Sequence, residues 1–283
     1  MNEAAPRPGR TVEAAVERLD GETTKRDYDR VVTEEPLELR LVAGGATQTL
    51  AVTMRTPGND FELAAGFALS EGIVRNREDL AGVSYCIDPA IDAEQRYNIV
   101  NIELGSAELP DAARFERHFT MNSSCGVCGR ANLDALRDAG ITPVADDVRV
   151  SRSVLYALPE RMREAQRVFA TTGGLHAAAL FRPDGTLVAL REDIGRHNAV
   201  DKLTGWALFE SAFPLHGSIM VVSGRASFEI LQKAAVARIP VLLAVSAPSS
   251  LAVDLAQAFN ITLAGFARGS RANVYNGLER ITA

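Results

Sequence analysis

Two of the chain's three cysteines stand as Cys125-Gly126-Val127-Cys128, inside the run Asn-Ser-Ser-Cys-Gly-Val-Cys-Gly over 122–129. The thiolate is the reactive form of cysteine, and a helix N-terminus or a nearby cation lowers its pKa from about 8.5 toward neutrality. A short helix expected from about Arg130, with Leu133 and Leu136 inward and Gly140 as its stop, is placed to do this for Cys128, and Arg130 adds a positive charge. The surrounding composition is that of a turn-rich loop with few apolar anchors. A loop of that kind lets one sulfur meet two partners in turn, so sulfur or redox chemistry is the first reading.

Three other readings stay open at this point. A structural zinc site needs four ligands, and only Cys86 and four histidines remain to complete one. The zinc-deaminase signature requires a proline before the pair, where this chain has Ser124. A thioredoxin-like centre follows a strand in a βαβ pattern, but no strand leads into this motif, and the only tryptophan is Trp206. The last reading is two small residues in a glycine loop. It suits Cys86 better, since that residue falls in an apolar strand expected over 83–87 and is read as structural.

A second group of residues lies where the C-terminal half alternates strand and helix. Strands are expected over 218–222, 240–245 and 261–266, and helices over 228–237 and 251–259. Continuously apolar strands with short connections indicate parallel strands joined by right-handed crossovers. Ligands of such sheets bind outside the carboxyl ends of the strands. Those ends carry Ser223-Gly224-Arg225-Ala226-Ser227, Ser246-Ala247-Pro248-Ser249-Ser250 and Arg268-Gly269-Ser270-Arg271. Hydroxyl residues at helix starts, with free N–H groups and the positive dipole end, suit a phosphate, and arginines pair with it bidentately. The bland alternative is that these serines are merely N-caps. The run from Arg191 to Asn198, followed by Asp201 and Lys202, admits both a ligand site through Arg196, His197 and Asn198 and a salt-bridged helix start. His176 reads as a satisfied core histidine. No Gly-x-Gly-x-x-Gly fingerprint follows a strand, and no Walker-type Gly-Lys-Ser/Thr occurs, so a dinucleotide dehydrogenase or an NTPase finds no support.

The elements that must position these groups fall into an α/β chain of 283 residues. Residues 1–27 are polar, without apolar periodicity, and read as a mobile tail. An N-terminal α+β unit is expected over 28–119. Leu37, Leu39 and Leu41 alternate on one strand, and Leu50, Val52 and Met54 lie on the next. A helix follows, with Asn59 and Glu62 as its capping box, burying Phe61, Ala64, Ala65, Ala68 and Leu69. Further strands are expected over 83–87 and 97–104. The cysteine loop and its short helix take 120–140, and a layered α/β domain takes 141–283. In that domain one helix carries Leu155, Leu158, Met162, Ala165 and Phe169, and a hairpin joins 176–181 to 186–190.

Hydrophobic residues at 47% and charged residues at 23% are ordinary for a globular protein. Lys+Arg 30 against Asp+Glu 36 gives a net charge of −6. This lacks the basic footprint of a nucleic-acid binder. No signal peptide or membrane-spanning run is read, so the chain is expected in the cytosol, where thiols stay reduced.

The sequence resembles the FdhD/NarQ family, the formate dehydrogenase accessory sulfurtransferases, over roughly residues 28–275. The resemblance rests on Ser-Ser-Cys-Gly-Val-Cys-Gly (123–129), Thr-Gly-Gly-Leu-His-Ala-Ala (172–178), Arg-Glu-Asp-Ile-Gly-Arg-His-Asn-Ala-Val-Asp-Lys (191–202), Val-Ser-Gly-Arg-Ala-Ser-Phe-Glu (222–229), Ala-Val-Ser-Ala-Pro-Ser-Ser-Leu-Ala (244–252) and Gly-Phe-Ala-Arg-Gly (265–269). It implies a cytoplasmic homodimer with a cytidine-deaminase-like fold, lacking the deaminase zinc ligands. It further implies that sulfur arrives from a cysteine desulfurase as a persulfide. That sulfur passes to the bis-molybdopterin guanine dinucleotide form of the molybdenum cofactor, which serves the formate dehydrogenase apoenzyme. Carried onto this chain, Cys125 is the persulfide carrier and Cys128 assists. Phe266, Ala267, Arg268, Gly269, Ser270 and Arg271 bind the cofactor. Ser223, Gly224, Arg225, Ser249, Ser250 and His197 line the same pocket, which would also take a guanine nucleotide. A cofactor chaperone whose cysteines only hold or sense is the rival.

Overall fold

In the computed structural model, residues 7–92, 95–110 and 129–283 are described. Cys125 and Cys128 lie outside them.

The C-terminal half is built on a six-stranded sheet in the order β13-β12-β11-β10-β8-β9. Here β8 is His176–Phe181, β9 Leu187–Asp193, β10 Ile219–Val222, β11 Val241–Ala244, β12 Thr262–Arg268 and β13 Arg271–Asn276. The three central strands β10, β11 and β12 run parallel, as their uninterrupted apolar sequences require, while β8 and β13 flank them antiparallel. Helix α3 (Arg152–Ala165) covers one face through Leu155, Leu158 and Met162. Helices α5 (Arg196–Phe209), α6 (Phe228–Val236) and α7 (Ser250–Ala258) cover the other, with Val200, Leu203, Leu231 and Leu255 among the buried residues. Helix α2 (Gly129–Asp138) docks Leu136 on that second layer. The expected long helix ending at Gly173 is two helices, with α4 (Arg167–Thr172) starting after Gln166. The break is held by Glu192, whose carboxylate accepts from the backbone N–H groups of Val168 and Phe169 at 3.1 and 2.9 Å and so satisfies a new helix start.

The N-terminal half carries a four-stranded sheet, β4-β3-β6-β5, from β3 (Glu35–Ala43), β4 (Ala46–Arg55), β5 (Leu80–Tyr85) and β6 (Ile99–Leu104). Its inner face, Leu37, Leu39, Leu41, Val100 and Ile102, packs on α1 (Asp60–Ser70). Cys86 lies just past β5, buried, and its N–H donates to the Ile99 carbonyl. The capping box expected at α1 does not form. Asn59 sits in left-handed backbone at φ +59° with no side-chain cap, and its Oδ1 accepts from Arg10 instead. Glu62 pairs with Arg191 across the two halves, 2.7 Å from Nη2. Both partners come from distant segments, which local pattern reading does not see.

The halves meet where α1 crosses α5. A Cβ on Gly66 would overlap the Asp201 carbonyl oxygen, and one on Gly205 the Glu62 carbonyl oxygen, so the two backbones touch. Leu208 of α5 completes the N-terminal core.

Residues 11–27 are not the tail expected of 1–27. They are strand β1 (Thr11–Asp20) and the first half of β2 (Thr23–Val32), an antiparallel hairpin turned at Gly21, where φ is +57°. Arg18 pairs with Asp27 and Asp29 across the strands. The hairpin's two faces are both largely exposed, so it lacks the apolar alternation by which strands are recognised. The remaining strands, β7 (Val150–Ser151) and β14 (Ile281–Thr282), form a short parallel pair. No helix among the described residues is long and apolar enough to cross a membrane.

Candidate functional site

The carboxyl ends of β10, β11 and β12 form one continuous edge because their loops bond to one another. Val245 N–H donates to the Val222 carbonyl at 3.1 Å, Ala226 N–H to Ala247 at 3.2 Å, and Ser249 N–H to Ala226 at 3.0 Å. Phe266 N–H donates to the Ser246 carbonyl at 3.1 Å. Gly265 keeps the third strand end close, since a Cβ there would press on Pro248 and the Ser246 oxygen. The loops at 223–227, 246–250 and 266–271 are thus brought together.

Within this edge the expected residues take different places. Ser249 is a true N-cap of α7, its Oγ accepting from Ala252 N–H at 3.2 Å, and Ser250 stands exposed beside it. Ser223 Oγ accepts from Ala177 N–H at 2.9 Å, locking the loop onto β8. Ser227 precedes α6 but makes no cap; it faces His197, with Oγ 3.3 Å from Nε2. Arg225, Arg268 and Arg271 are exposed. The third loop does not start a helix. Gly269 and Ser270 form the turn between the antiparallel strands β12 and β13, with Gly269 at φ +56° and Arg268 opposite Arg271. A register shift between Gly265 and Arg268 accompanies it. There Phe266 adopts φ +53° while 49% exposed. Left-handed backbone is a genuine outlier for a bulky residue, and such strain gathers at functional sites.

The polar run 191–202 divides cleanly. Asp193, fully buried, is surrounded by donors: Gly195 N–H at 2.8 Å, Asn198 Nδ2 at 3.0 Å, Thr56 N–H at 3.1 Å and Lys202 Nζ at 2.7 Å. Asn198 also donates to the Met54 carbonyl and Lys202 to the Thr56 carbonyl. Asp201 holds Lys233 at 2.7 Å and accepts from Ser70 Oγ. These four residues join the two halves of the molecule, each charge matched as burial demands. Burial pushes the Lys202 ammonium down in pKa, against the pull of Asp193.

Arg196 and His197, between them, turn to the sheet edge instead. His197 is pulled down to about 4, by burial first and then by the charges of Arg196 and Lys233, with Glu229 opposing; its Nε2 lies 3.8 Å from the Glu229 carboxylate. His176 is also lowered, by burial first and Arg196 second. Its Nδ1 is 3.5 Å from Ser223 Oγ. It is therefore only partly buried and belongs to this edge, not to the core; its place at the start of β8, antiparallel to β10, was the missing signal. The edge offers cations, hydroxyls, neutral imidazoles and an outward aromatic ring, a set suited to an anionic ligand with a planar base.

The model of the FdhD/NarQ family matches residues 32–282. A sulfur carrier protein FdhD of Streptomyces coelicolor is 53% identical over 265 residues, 93% of this chain and 92% of that one. The sulfur carrier protein FdhD of Mycobacterium tuberculosis is 49% identical over 276 residues, 96% and 99% of the two chains. That of Sulfurisphaera tokodaii is 45% identical over 264 residues, 93% and 96%. A crystal structure of a protein assigned as a formate dehydrogenase accessory protein from Desulfotalea psychrophila superposes with TM-score 0.73 at 22% identity, covering 96% of this chain and 99% of that one. This last likeness speaks to the fold alone.

Proposed function

The chain belongs to the FdhD/NarQ family, and on that premise we propose that it is a sulfur carrier for formate dehydrogenase. It takes sulfur from a cysteine desulfurase on Cys125 and passes it to a bis-molybdopterin guanine dinucleotide substrate held on the sheet edge. The observation that supports this most is the joining of three strand-end loops, with their arginines and Phe266, on a chain that also carries a thiol pair. The Phe266 ring, held out by a left-handed backbone, offers a stacking face to a guanine. Arg225, Arg268 and Arg271 offer guanidinium forks to phosphate oxygens.

The sulfur chemistry is thiol exchange. The Cys125 thiolate attacks the outer sulfur of the donor persulfide. A new S–S bond forms on Cys125, and the donor cysteine leaves as its thiolate. Delivering that sulfur at the sulfide level takes two electrons. Cys128 supplies them by attacking the inner sulfur of the Cys125 persulfide, releasing hydrosulfide to the metal centre and closing a Cys125–Cys128 disulfide. The disulfide is then reduced by cellular thiol before the next round. The reading places the carrier in the cytoplasm, with the donor desulfurase and the formate dehydrogenase apoenzyme as successive partners, and as a homodimer.

The test is mass spectrometry after incubation with a desulfurase and cysteine, paired with a formate dehydrogenase activation assay. The wild-type chain should gain sulfur on Cys125, and Cys125→Ala should lose both the modification and activation. A Cys125→Ala chain that still gains sulfur and still activates the enzyme overturns the proposal. A double cysteine variant that activates normally favours a chaperone.

A further inference from the structure

We infer that the cavity at the C-terminal end of α5 is a docking site for a partner protein, and that it takes an extended segment bearing arginine beside proline.

The cavity measures about 570 Å³ and lies between the start of α1, strand β5 and the last turn of α5. That volume falls in the range of ligand pockets, about 300–1,000 Å³. Its walls are aromatic. The Phe61 and Tyr85 rings stand 4.7 Å apart between centroids, and Phe209 belongs to the same lining. Tyr97 meets Tyr85 nearly edge-on at 5.2 Å.

Both cations at the cavity sit on these rings. Arg77 Cζ is 5.8 Å from the Phe209 centroid, and its Nη1 donates to the Leu80 carbonyl. Arg7 Cζ is 5.2 Å from the Tyr85 centroid and 5.6 Å from that of Tyr97. A guanidinium within about 6 Å of a ring centroid is attracted by the electron-rich face. Pro8 follows Arg7 and lines the cavity as well. The residue before a proline favours extended backbone, and aromatic grooves read proline-bearing segments in that form.

The chain's own segment shows this chemistry without filling the site. Arg7 is exposed and makes no hydrogen bond or ion pair among the described residues. Arg10, in contrast, is fastened at the rim, where it donates to Asn59 and lies against Gly58. The residues before Arg10 rest on the rings alone, so a competing segment can displace them.

Charge defines the competitor further. Asp60 is matched by Arg55 and the Tyr85 hydroxyl, and Glu62 by Arg191. Glu210 also lines the cavity, is exposed, and pairs with no cation among the described residues. Aromatic faces beside an unmatched carboxylate favour a second cation on the incoming segment and disfavour an acidic one. Phe209 ends the fourteen-residue helix that Arg196 opens, roughly 20 Å away at 1.5 Å per residue. A segment seated there leaves the sheet edge open.

The probe is a fluorescein-labelled peptide with the sequence of residues 7–12, Arg-Pro-Gly-Arg-Thr-Val. Its binding to the full chain is followed by anisotropy, with thermal melting as the folding control. Removing the internal competitor in Arg7→Ala should tighten binding about fivefold or more. Glu210→Lys on that background should reverse the gain, and a peptide whose first arginine is replaced by alanine should bind about fivefold more weakly. In an NMR titration the Tyr85 and Phe209 ring resonances should move and those of His197 should stay. A folded Arg7→Ala chain that binds the peptide no more tightly than wild type overturns the docking site. So does equal binding of the arginine-to-alanine peptide, or a preference for one with glutamate in place of arginine. Shifts at His197 with none at Tyr85 would put the peptide on the sheet edge and overturn it too. A dimer that dissociates on adding peptide, read by light scattering, would give the site to a second copy and overturn a partner protein.

Discussion

Burial first and the Arg196 charge second lower the pKa of both His197 and His176, and that makes their titration a direct probe of the site. The His197 pKa is pulled from the usual 6.5 to about 4. The folded chain therefore binds fewer protons there than the unfolded chain, whose histidines titrate near 6.5. The stability this contributes is present in full above about pH 6.5 and is lost as pH falls from there toward 4. An NMR titration should place the His197 ring midpoint near 4, and Arg196→Gln should raise it; a wild-type midpoint near 6.5 would contradict this electrostatic account. The sequence reading named Arg196, His197 and Asn198 together as ligand candidates or a capped helix start. The structure gives the first two to the sheet edge and the third to the Asp193 network. Types and spacing alone could not make that division. It depends on which side of α5 meets Thr56 and which meets Ser223.

Among the elements, the crossing of α1 and α5 decides the geometry of everything at the edge. Glycine inside a helix is about 1 kcal/mol less favourable than alanine, so propensity alone predicts that Gly205→Ala stabilises. Contact predicts the reverse, because a Cβ on Gly205 would overlap the Glu62 carbonyl oxygen of α1. Backbone against backbone has no rotamer to give way, and forced overpacking costs about 1–3 kcal/mol or more. Gly205→Ala should therefore lower the melting temperature by several degrees and weaken nucleotide binding, since Arg196 and His197 ride on the same helix. An unchanged or raised melting temperature would show that the helices can separate freely. The start of the helix was legible: the polar run 191–202 admits a salt-bridged helix start, and the helix begins at Arg196. Its partner was not, because nothing local in either segment records that Gly66 faces Gly205.

At the scale of the whole molecule, the β1–β2 hairpin stands apart from the three hydrophobic clusters, none of which includes a residue before Leu37. A two-stranded hairpin is marginal by itself in water. This one is tied to the body by Arg10, which donates to Asn59 and lies against Gly58, and by Val32 against Gly174. A chain lacking residues 1–31 should keep a single cooperative unfolding transition, with its melting temperature down by a few degrees. Loss of cooperative unfolding would mean that the hairpin is integral to the N-terminal sheet.

The sequence by itself determined the alternation of apolar strands and helices after Ser151 and the parallel character of the three central strands. Each of these is written in near neighbours, through period, loop length or spacing. It also carried the family, because six motifs occur in order. Tertiary structure alone decided which polar residues of 191–202 face inward, that His176 belongs to the edge, and that Phe266 is held outward in left-handed backbone. Those properties depend on burial and on partners up to 146 positions away, as Lys202 is from Thr56. Such pairings are set by how the layers stack, a long-range packing outcome that no local pattern encodes.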